Sequence, residues 1–237
     1  MSHNGSMLSQ KVIVLKLSGS LFFSEEFENV VNSIRRVFDK RDDIRLVVVT
    51  GGGQVAREYI AVAKSLGVDQ ASQDELGIKG SQINASVLIK ALDGLASSLL
   101  PTSLTELVEV FEISSRKKKI VVCGGLQPGQ STNAVAALVS EKLSADVFIN
   151  ATDVDGVYTK DPRKFRNAKL LTTVTTERLA SILESESMNA GAYDLMDPIA
   201  LKLIKRSKIQ TWITKCDGST IWSILGNNKM SGTRIVF

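Results

Sequence analysis

The sequence predicts an α/β fold, in which helices cover both faces of one mainly parallel sheet to form a three-layer α/β/α sandwich. Four short runs, VIVLKL, LVVVT, KIVVC and DVFINA, are apolar without alternation, which is typical of strands that are buried on both faces. Segments with apolar side chains at helical spacing separate these runs, and strands that alternate with helices favour a parallel sheet. The length of 237 residues fits one domain, because a chain of this size buries roughly three quarters of its unfolded surface.

Each element follows from one of these two patterns, taken in chain order. After the first strand, apolar side chains at Phe27, Val31 and Ile34 indicate a helix. Gly67 is placed to end the second helix in a C-cap role. The predicted strands are 11–17, 44–50, 119–123, 146–151, 209–213 and 233–237, and the predicted helices are 25–38, 54–66, 74–93, 105–114, 132–143, 176–183, 198–205 and one that starts at Ser219.

The first ten residues, MSHNGSMLSQ, are polar and lack the apolar stretch of a signal peptide. We therefore expect a disordered tail at residues 1–10 and a single domain over residues 11–237. No apolar run reaches membrane-spanning length, and Cys123 and Cys216 lack the spacing of a metal site or a disulfide framework. These features predict a cytoplasmic protein with no membrane partner.

The charge pattern argues against a nucleic-acid partner. The net charge is +4, but 29 basic residues are interleaved with 25 acidic ones. The densest basic cluster, residues 116–119, follows a predicted helix, where the helix dipole favours cations. A modest positive balance also suits an enzyme whose substrates are polyanions.

The turn after the first strand reads KLSGS, residues 16–20. Gly19 allows backbone N–H groups to approach a phosphate closely. Lys16 is a cation within an otherwise apolar strand, and burying it is costly unless an anion meets it. We favour a phosphate site here over a lysine that reaches solvent from an edge strand.

The turn after the second strand reads GGGQVAR, residues 51–57. Three consecutive glycines exceed the needs of a tight turn, and the helix that follows offers free N–H groups to an anion. The segment also matches the G-x-G-x-x-A form of the dinucleotide fingerprint. That fingerprint belongs to the first strand–helix turn, so the match is weak. Arg57 lies one turn into the helix, within reach of a phosphate or a neighbouring side chain.

The turn after the third strand, GGLQPGQST, nearly matches the P-loop, but Gln130 occupies the lysine position. It remains a glycine-rich loop that leads into a helix capped by Ser131 or Thr132. A capped loop without a ligand explains it equally well.

The turn after the fourth strand, TDVDGVYTKDPR, covers residues 152–163. It resembles a calcium loop only faintly, since Ala151 occupies the position of the first ligand. Tyr158 offers a flat face to a base, and a hairpin with solvated acids is the alternative. The one histidine, His3, lies in the tail, which leaves no imidazole base. Phosphoryl transfer to an acceptor that is already an anion needs none.

Taken together, these motifs resemble the amino-acid kinase superfamily, and among its branches the uridylate kinases of the archaeal type. The motifs are KLSGS, GGGQVAREY, GGLQPGQST, ATDVDGVYTKDPR and LMDPIALKLIKRSKI. The resemblance implies the α/β/α amino-acid kinase fold, with UMP bound mainly by the N-terminal half and ATP with Mg²⁺ by the C-terminal half. It also implies a homohexamer built as a trimer of dimers.

The resemblance assigns roles by position. Lys16 and Arg57 would be catalytic, with Lys16 stabilising the transferring phosphoryl group. The ATP contacts would be Gly19, Ser20, Gly53, Arg57, Thr152, Asp153, Tyr158 and Asp161. The UMP contacts would be Gly52, Asp74, Leu126, Gln127, Pro128, Gly129, Gln130, Ser131 and Thr132, with Asp74 on the ribose hydroxyls and Thr132 near the uracil. No protein metal ligand is predicted, because Mg²⁺ is often held mostly by phosphates and water.

Three alternatives remain open. One is an ATP-binding protein of the same fold that stores molybdate or tungstate, and another is a different phosphotransferase of the superfamily. The third is a dinucleotide-dependent oxidoreductase, on the strength of the G-x-G-x-x-A match. The isopentenyl phosphate kinase branch is excluded, because those enzymes require a histidine beside the glycine triplet and this chain has Gln54 there.

Overall fold

The structure is a computed structural model that describes residues 10–187 and 195–237. The tail predicted at residues 1–10 lies outside the described residues except for Gln10, whose side chain donates to the carbonyl oxygen of Asp42 at 2.9 Å. Among the described residues, no helix is both long and apolar enough to cross a lipid bilayer.

Strands are separated by one to three helices along the chain, except that the fifth strand follows the fourth without a helix between them. The strands are β1 Lys11–Leu17, β2 Ile44–Thr50, β3 Val121–Cys123, β4 Val147–Thr152, β5 Thr173–Thr175, β6 Thr211–Lys215 and β7 Thr233–Val236. The helices are α1 Glu26–Lys40, α2 Gly53–Ser65, α3 Gln70–Ala91, α4 Leu104–Arg116, α5 Thr132–Lys142, α6 Thr176–Ser187, α7 Pro198–Ser207 and α8 Gly218–Ile221. A 3₁₀ turn at Gly19–Phe23 follows β1, and a π-helical turn at Trp222–Gly226 extends α8.

Within the described residues the strands form one sheet in the order β3-β2-β1-β4-β6-β7-β5. Neighbouring strands are parallel except β6 and β7, which are antiparallel. The prediction of a mainly parallel sheet is confirmed. Strand β5 was not predicted, because its three residues alternate between exposed and buried and lack an apolar run.

Helices cover both faces of the sheet, which confirms the three-layer sandwich. On β1, Val12 and Val14 face a core closed by α4, α5, α6 and α7. Ile13 and Leu15 face a second core closed by α1, α3 and α8. Since successive side chains of a strand point to opposite faces, two covered faces explain the continuous apolar runs.

Candidate active site

The turns that the sequence singles out begin side by side at one edge of the sheet. Leu17, the last residue of β1, is in register with Thr50 of β2 and Ala151 of β4. The hydroxyl of Thr50 lies 3.2 Å from the carbonyl oxygen of Cys123, the last residue of β3. The carboxyl ends of parallel strands lie at the same edge of the sheet, and open sheets of this kind bind ligands at that edge.

The first two turns pack backbone against backbone. A Cβ atom on Gly19 would lie 2.5 Å from the Cα atom of Gly53 and 2.8 Å from the carbonyl carbon of Gly51. Gly53 also has φ of +59°, a left-handed conformation that favours glycine. Side chains at these positions would force the turns apart, so the glycines bring two strand ends into one site.

Lys16 lies beside this contact and is only 8% exposed. Its strand positions pair it with Val49 and Asn150, and it points to the α5 and α7 side of the sheet, as Val12 and Val14 do. The charge of Lys16 interacts with the Cys216 thiol. Burial raises the pKa of Cys216 to about 12, while a hydrogen bond from the N–H of Ser18 and the charge of Lys16 both lower this pKa. The buried cation therefore stands at the end of β1, as the sequence predicts.

Two buried carboxamides lie on the same side of the sheet. Asn150 and Asn133 both donate to the carbonyl oxygen of Leu195, at 2.9 Å and 3.4 Å. Their Oδ1 atoms are buried and have no hydrogen-bond partner among the described residues. Buried polar atoms in native proteins usually have partners, so these two oxygens mark this region as one built for polar contacts.

The loop after β3 is tied down at both ends and open in its middle. Gly125 N–H donates to the Ser81 hydroxyl at 2.7 Å, and Gly129 N–H donates to the Asp74 carboxylate at 2.9 Å. Between these anchors, Gln127 and Pro128 are exposed. Leu126 packs against the core, Gln130 is half-buried and Gly129 has φ of +76°.

Ser131, rather than Thr132, caps α5. Its hydroxyl accepts from the N–H groups of Asn133 and Ala134, each at 3.1 Å. The same hydroxyl donates to Asp197, which caps α7. Thr132 follows as the first residue of α5 and is half-buried. The end of the loop is thus joined to the start of a helix far along the chain.

The polar groups of the fourth turn bond largely to one another. Burial alone would raise the pKa of Asp161, but hydrogen bonds from Arg163 lower it overall. Asp153 lies 3.3 Å from Arg163, and Tyr158 donates to Asp155 at 2.7 Å. The Thr152 hydroxyl, 4% exposed, lies 3.0 Å from the carbonyl oxygen of Val154. These predicted ATP-side residues form a loop with its own hydrogen-bond network at the same sheet edge.

Arg57 and Ser20 are two further members of the predicted set that are exposed. Arg57 lies one helical turn after Gly53, so the two share a face of α2. Its guanidinium has no ion pair among the described residues. The Ser20 hydroxyl lies 2.8 Å from that of Ser18. Both side chains are therefore accessible to a ligand.

Sequence reasoning missed the polar face of α3. Ser81 and Asn84 are 1% and 2% exposed, and they bond to the loop after β3 and to the glycine triplet. Gly77 and Gly80 lie in the same helix, and glycines inside a helical pattern often have a packing reason. A Cβ on Gly80 would lie 2.9 Å from the Ala56 backbone. The helix thus packs closely against the start of α2.

A separate cleft of 660 Å³ lies between α1, the end of β6 and α8. It contains none of the predicted site residues. Within it, the Glu26 carboxylate accepts from Gly218 N–H at 3.1 Å, and the Arg36 guanidinium lies 4.0 Å from the centre of the Trp222 ring. These contacts join α1 to α8.

A divalent metal would find oxygen ligands here but no acidic cage. The described residues contain no group of three histidine, cysteine or acidic side chains that could hold a metal ion. The unpartnered amide oxygens of Asn133 and Asn150 are of the hard type that Mg²⁺ accepts. The described residues are therefore compatible with a divalent metal that is held mainly by the phosphates of a ligand.

A family model for the amino acid kinase family matches residues 11–215. The chain belongs to the amino acid kinase family. This confirms the resemblance inferred from the glycine turns, and the β1 and β2 turns described above lie within the matched range.

Relatives in the amino acid kinase family carry a consistent name. A uridylate kinase from Sulfurisphaera tokodaii is 48% identical over 202 residues, which cover 84% of this chain and 87% of the relative. One from Sulfolobus acidocaldarius is 43% identical over 227 residues, which cover 94% and 98%. A crystal structure of uridylate kinase from Archaeoglobus fulgidus has a TM-score of 0.80 at 34% identity and covers 94% of this chain and 99% of that one.

Proposed function

We propose that this protein transfers the γ-phosphate of ATP to UMP, giving ADP and UDP. The observation that carries the proposal is the contact of the Gly19 and Gly53 turns beside buried Lys16. Two phosphate-binding turns that meet at a cation suit a reaction in which one phosphoryl group passes between two phosphates. The uridylate kinase relatives and the Archaeoglobus fulgidus structure support UMP as the acceptor.

The reaction needs positioning and positive charge more than a base. A phosphate oxygen of UMP is already an anion, so its attack on the γ-phosphorus requires no proton removal, and the β–γ bridging oxygen leaves with ADP. Lys16 would balance the charge that develops on the transferring group, and Arg57 would bind the same group from α2. Backbone N–H groups around Gly19 and Gly53 would hold the phosphates in line.

The two substrates would occupy different turns of the single domain. UMP would lie between Gly52, Asp74 and the loop 126–132, with the ribose on the Asp74 carboxylate. ATP would lie on Gly19, Ser20 and the loop that carries Thr152, Asp153, Tyr158 and Asp161. The support for this division is that Asp74 and Gly129 bond to each other, while the fourth turn forms its own network.

Mg²⁺ would accompany ATP and neutralise charge on its phosphates. The amide oxygens of Asn133 and Asn150 would face this part of the site. The residues of this chain would orient the phosphates, since they offer no acidic cage for the ion within the described range.

The proposal extends to assembly and location. An exposed apolar stripe is formed by Tyr59 and Val62 of α2 and by Leu66, the C-cap of α2, with 60%, 58% and 76% of their surface exposed. Ile83 and Val87 form another on α3, which packs against α2. We propose that these stripes meet between copies in a homohexamer built as a trimer of dimers.

Two free cysteines favour the cytoplasm, where thiols stay reduced.

The test is an assay of purified protein with ATP, Mg²⁺ and each nucleoside monophosphate in turn. We expect UDP to form fastest, with UMP preferred over CMP, AMP and GMP. ATP binding without UMP turnover, together with retained molybdate or tungstate, would favour the storage alternative. Binding of NAD or NADP would favour the oxidoreductase. The uridylate kinase relatives do not favour either alternative.

A further inference from the structure

The amide group of Asn84 reaches from the middle of α3 to the glycine triplet. Its Nδ2 atom lies 2.7 Å from the carbonyl oxygen of Gly51 and 3.2 Å from that of Gly52. Asn84 is 2% exposed, so both hydrogen bonds are shielded from water. The amide of Asn84, in the middle of a helix, thus binds a turn that precedes Asn84 by more than thirty residues.

Hydrogen bonds to these two carbonyl groups determine where the next N–H groups point. In a trans peptide the C=O and N–H groups lie in one plane and point in opposite directions. The C=O of Gly51 shares its peptide with the N–H of Gly52, and the C=O of Gly52 shares its peptide with the N–H of Gly53. When Asn84 holds both carbonyl oxygens toward α3, both N–H groups point away from α3.

The side away from α3 is the side of the first turn. The nitrogen of Gly53 is the nearest atom to a Cβ built on Gly19. Among the described residues, the carbonyl oxygen of Gly52 otherwise receives only the long first bond of α2, from Ala56 N–H at 3.4 Å. Asn84 therefore provides the shorter of the two contacts that orient this peptide.

The same helix holds the neighbouring turn. Ser81, three residues before Asn84 and on the same helical face, accepts from Gly125 N–H at 2.7 Å. Its carbonyl oxygen accepts from the Thr50 hydroxyl at 2.8 Å. One helix face thus sets the relative position of the turns after β2 and β3.

We infer that Asn84 is a positioning residue: its amide orients the Gly51–Gly52 and Gly52–Gly53 peptides so that their N–H groups face the phosphate. Asn84 does not touch the reacting atoms. It acts through the peptide planes that do, and this inference rests on the proposed phosphoryl transfer.

Asn84→Asp and Asn84→Ala test this role. The carboxylate of Asn84→Asp keeps the shape but repels both carbonyl oxygens, so the peptides lose their orientation. We expect kcat to fall about 100-fold, the scale of a 1 Å misplacement, and the Kd for ADP to rise about tenfold. Lowering the pH protonates the introduced carboxyl group and restores one donor, so the deficit of Asn84→Asp relative to the wild type should narrow. Asn84→Ala should show no such recovery.

Gln73→Ala is the matched control. Gln73 lies on α3, is 8% exposed and donates to the carbonyl oxygen of Val68 at 2.7 Å, so it makes the same kind of bond away from the turns. Its kcat and its Kd for ADP should equal those of the wild type. Thermal unfolding of every variant checks the fold, and Asn84→Ser, which keeps one donor, replaces any variant that fails to fold.

Wild-type kcat and Kd in the Asn84 variants would overturn the inference, and so would an equal loss in Gln73→Ala. A wild-type chain that binds ADP but does not phosphorylate UMP would refute the proposed function alone. In that case the Kd values for ADP still decide the role of Asn84. A wild-type chain that binds no ADP would refute both.

Discussion

The carboxylate of Asp74 accepts a hydrogen bond from the backbone N–H of Gly129 at 2.9 Å, although 55 residues separate them. Asp74 lies near the start of α3, and Gly129 lies at the exposed tip of the loop after β3. The contact connects the helix to a loop that is otherwise open at Gln127 and Pro128. Asp74 therefore has one carboxylate oxygen committed to shaping the loop, while the other accepts only a long bond from Gln70 at 3.5 Å and can still accept from a ligand.

Asp74→Asn should weaken UMP binding more than ATP binding. Asparagine retains an oxygen that can accept from Gly129 N–H, so the loop should keep its shape while the second acceptor and the charge are lost. Loss of one hydrogen bond to a ribose hydroxyl should raise the KM for UMP about tenfold. Steady-state kinetics with each substrate varied will measure this. Asp69→Asn, which removes charge from the N-cap of the same helix, should leave both KM values unchanged. A larger rise in the KM for ATP would move Asp74 to the ATP side.

Lys16→Met should abolish most turnover with little effect on folding. Methionine keeps the apolar stem that packs in β1 and removes only the charge, so we expect kcat to fall at least about 100-fold. Lys11→Met is the control, because Lys11 lies on the same strand and its ammonium group bonds to Asn228 at 3.2 Å. Single-turnover measurements with both variants separate chemistry from binding. Retained activity in Lys16→Met would remove Lys16 from the mechanism.

Gly53→Ala should abolish activity, whereas Gly67→Ala should not. Both glycines have positive φ, +59° and +75°, so alanine costs about 1–2 kcal/mol of backbone strain at either position. The Cβ atom at Gly53 would also lie 2.9 Å from the Cα atom of Gly19, while a Cβ at Gly67 meets nothing within 4 Å. Urea unfolding should show that Gly67→Ala loses stability only. Equal activity in the two variants would show that close packing of the turns is dispensable.

Both cysteines should be inert to alkylation in the native state. Burial raises the pKa of Cys123 and of Cys216 to about 12 from an ordinary value of 9.0. A raised pKa favours the neutral thiol, so the reactive thiolate is on the order of 10⁻⁴ of the total at pH 8. Reaction with iodoacetamide, followed by mass spectrometry, should be at least about 100-fold slower than in denaturant. While the protein stays folded, the native rate should rise about tenfold per pH unit below this pKa, because the thiolate fraction rises in proportion. Rapid native labelling at pH 8 would contradict the raised pKa of these thiols, of which Cys123 is buried and Cys216 is half-buried.

Val62→Asp with Leu66→Glu should dissociate the proposed homohexamer. A charge placed in an apolar contact between copies must lose water without gaining a partner, which is costly. Analytical ultracentrifugation should show smaller species for this double variant. Ile113→Asp, which replaces an apolar side chain of similar exposure on α4, should sediment like the wild type. An unchanged assembly in the double variant would place the interface elsewhere.

The sequence predicted the elements that have a local pattern. Strand β1 and strand β2 match their predicted bounds, because a mostly apolar run ends at a glycine-containing turn in both cases. Helix α3 begins at Gln70 rather than at Asp74, because its N-cap is Asp69, which accepts from Ser72 N–H. The predicted closing strand is present as β7, but the sequence did not reveal that it runs antiparallel to β6.

The sequence by itself determined the fold class, the edge of the sheet that carries the glycine turns and the family. Apolar runs and glycines act on neighbouring backbone, so their consequences can be predicted locally. Only the tertiary structure decided that Gly19 meets Gly53, that Asp74 holds Gly129 and that Asn84 orients the glycine triplet. These contacts join residues that are distant in the chain. The local sequence around a polar side chain in a helix does not indicate the turn to which that side chain bonds.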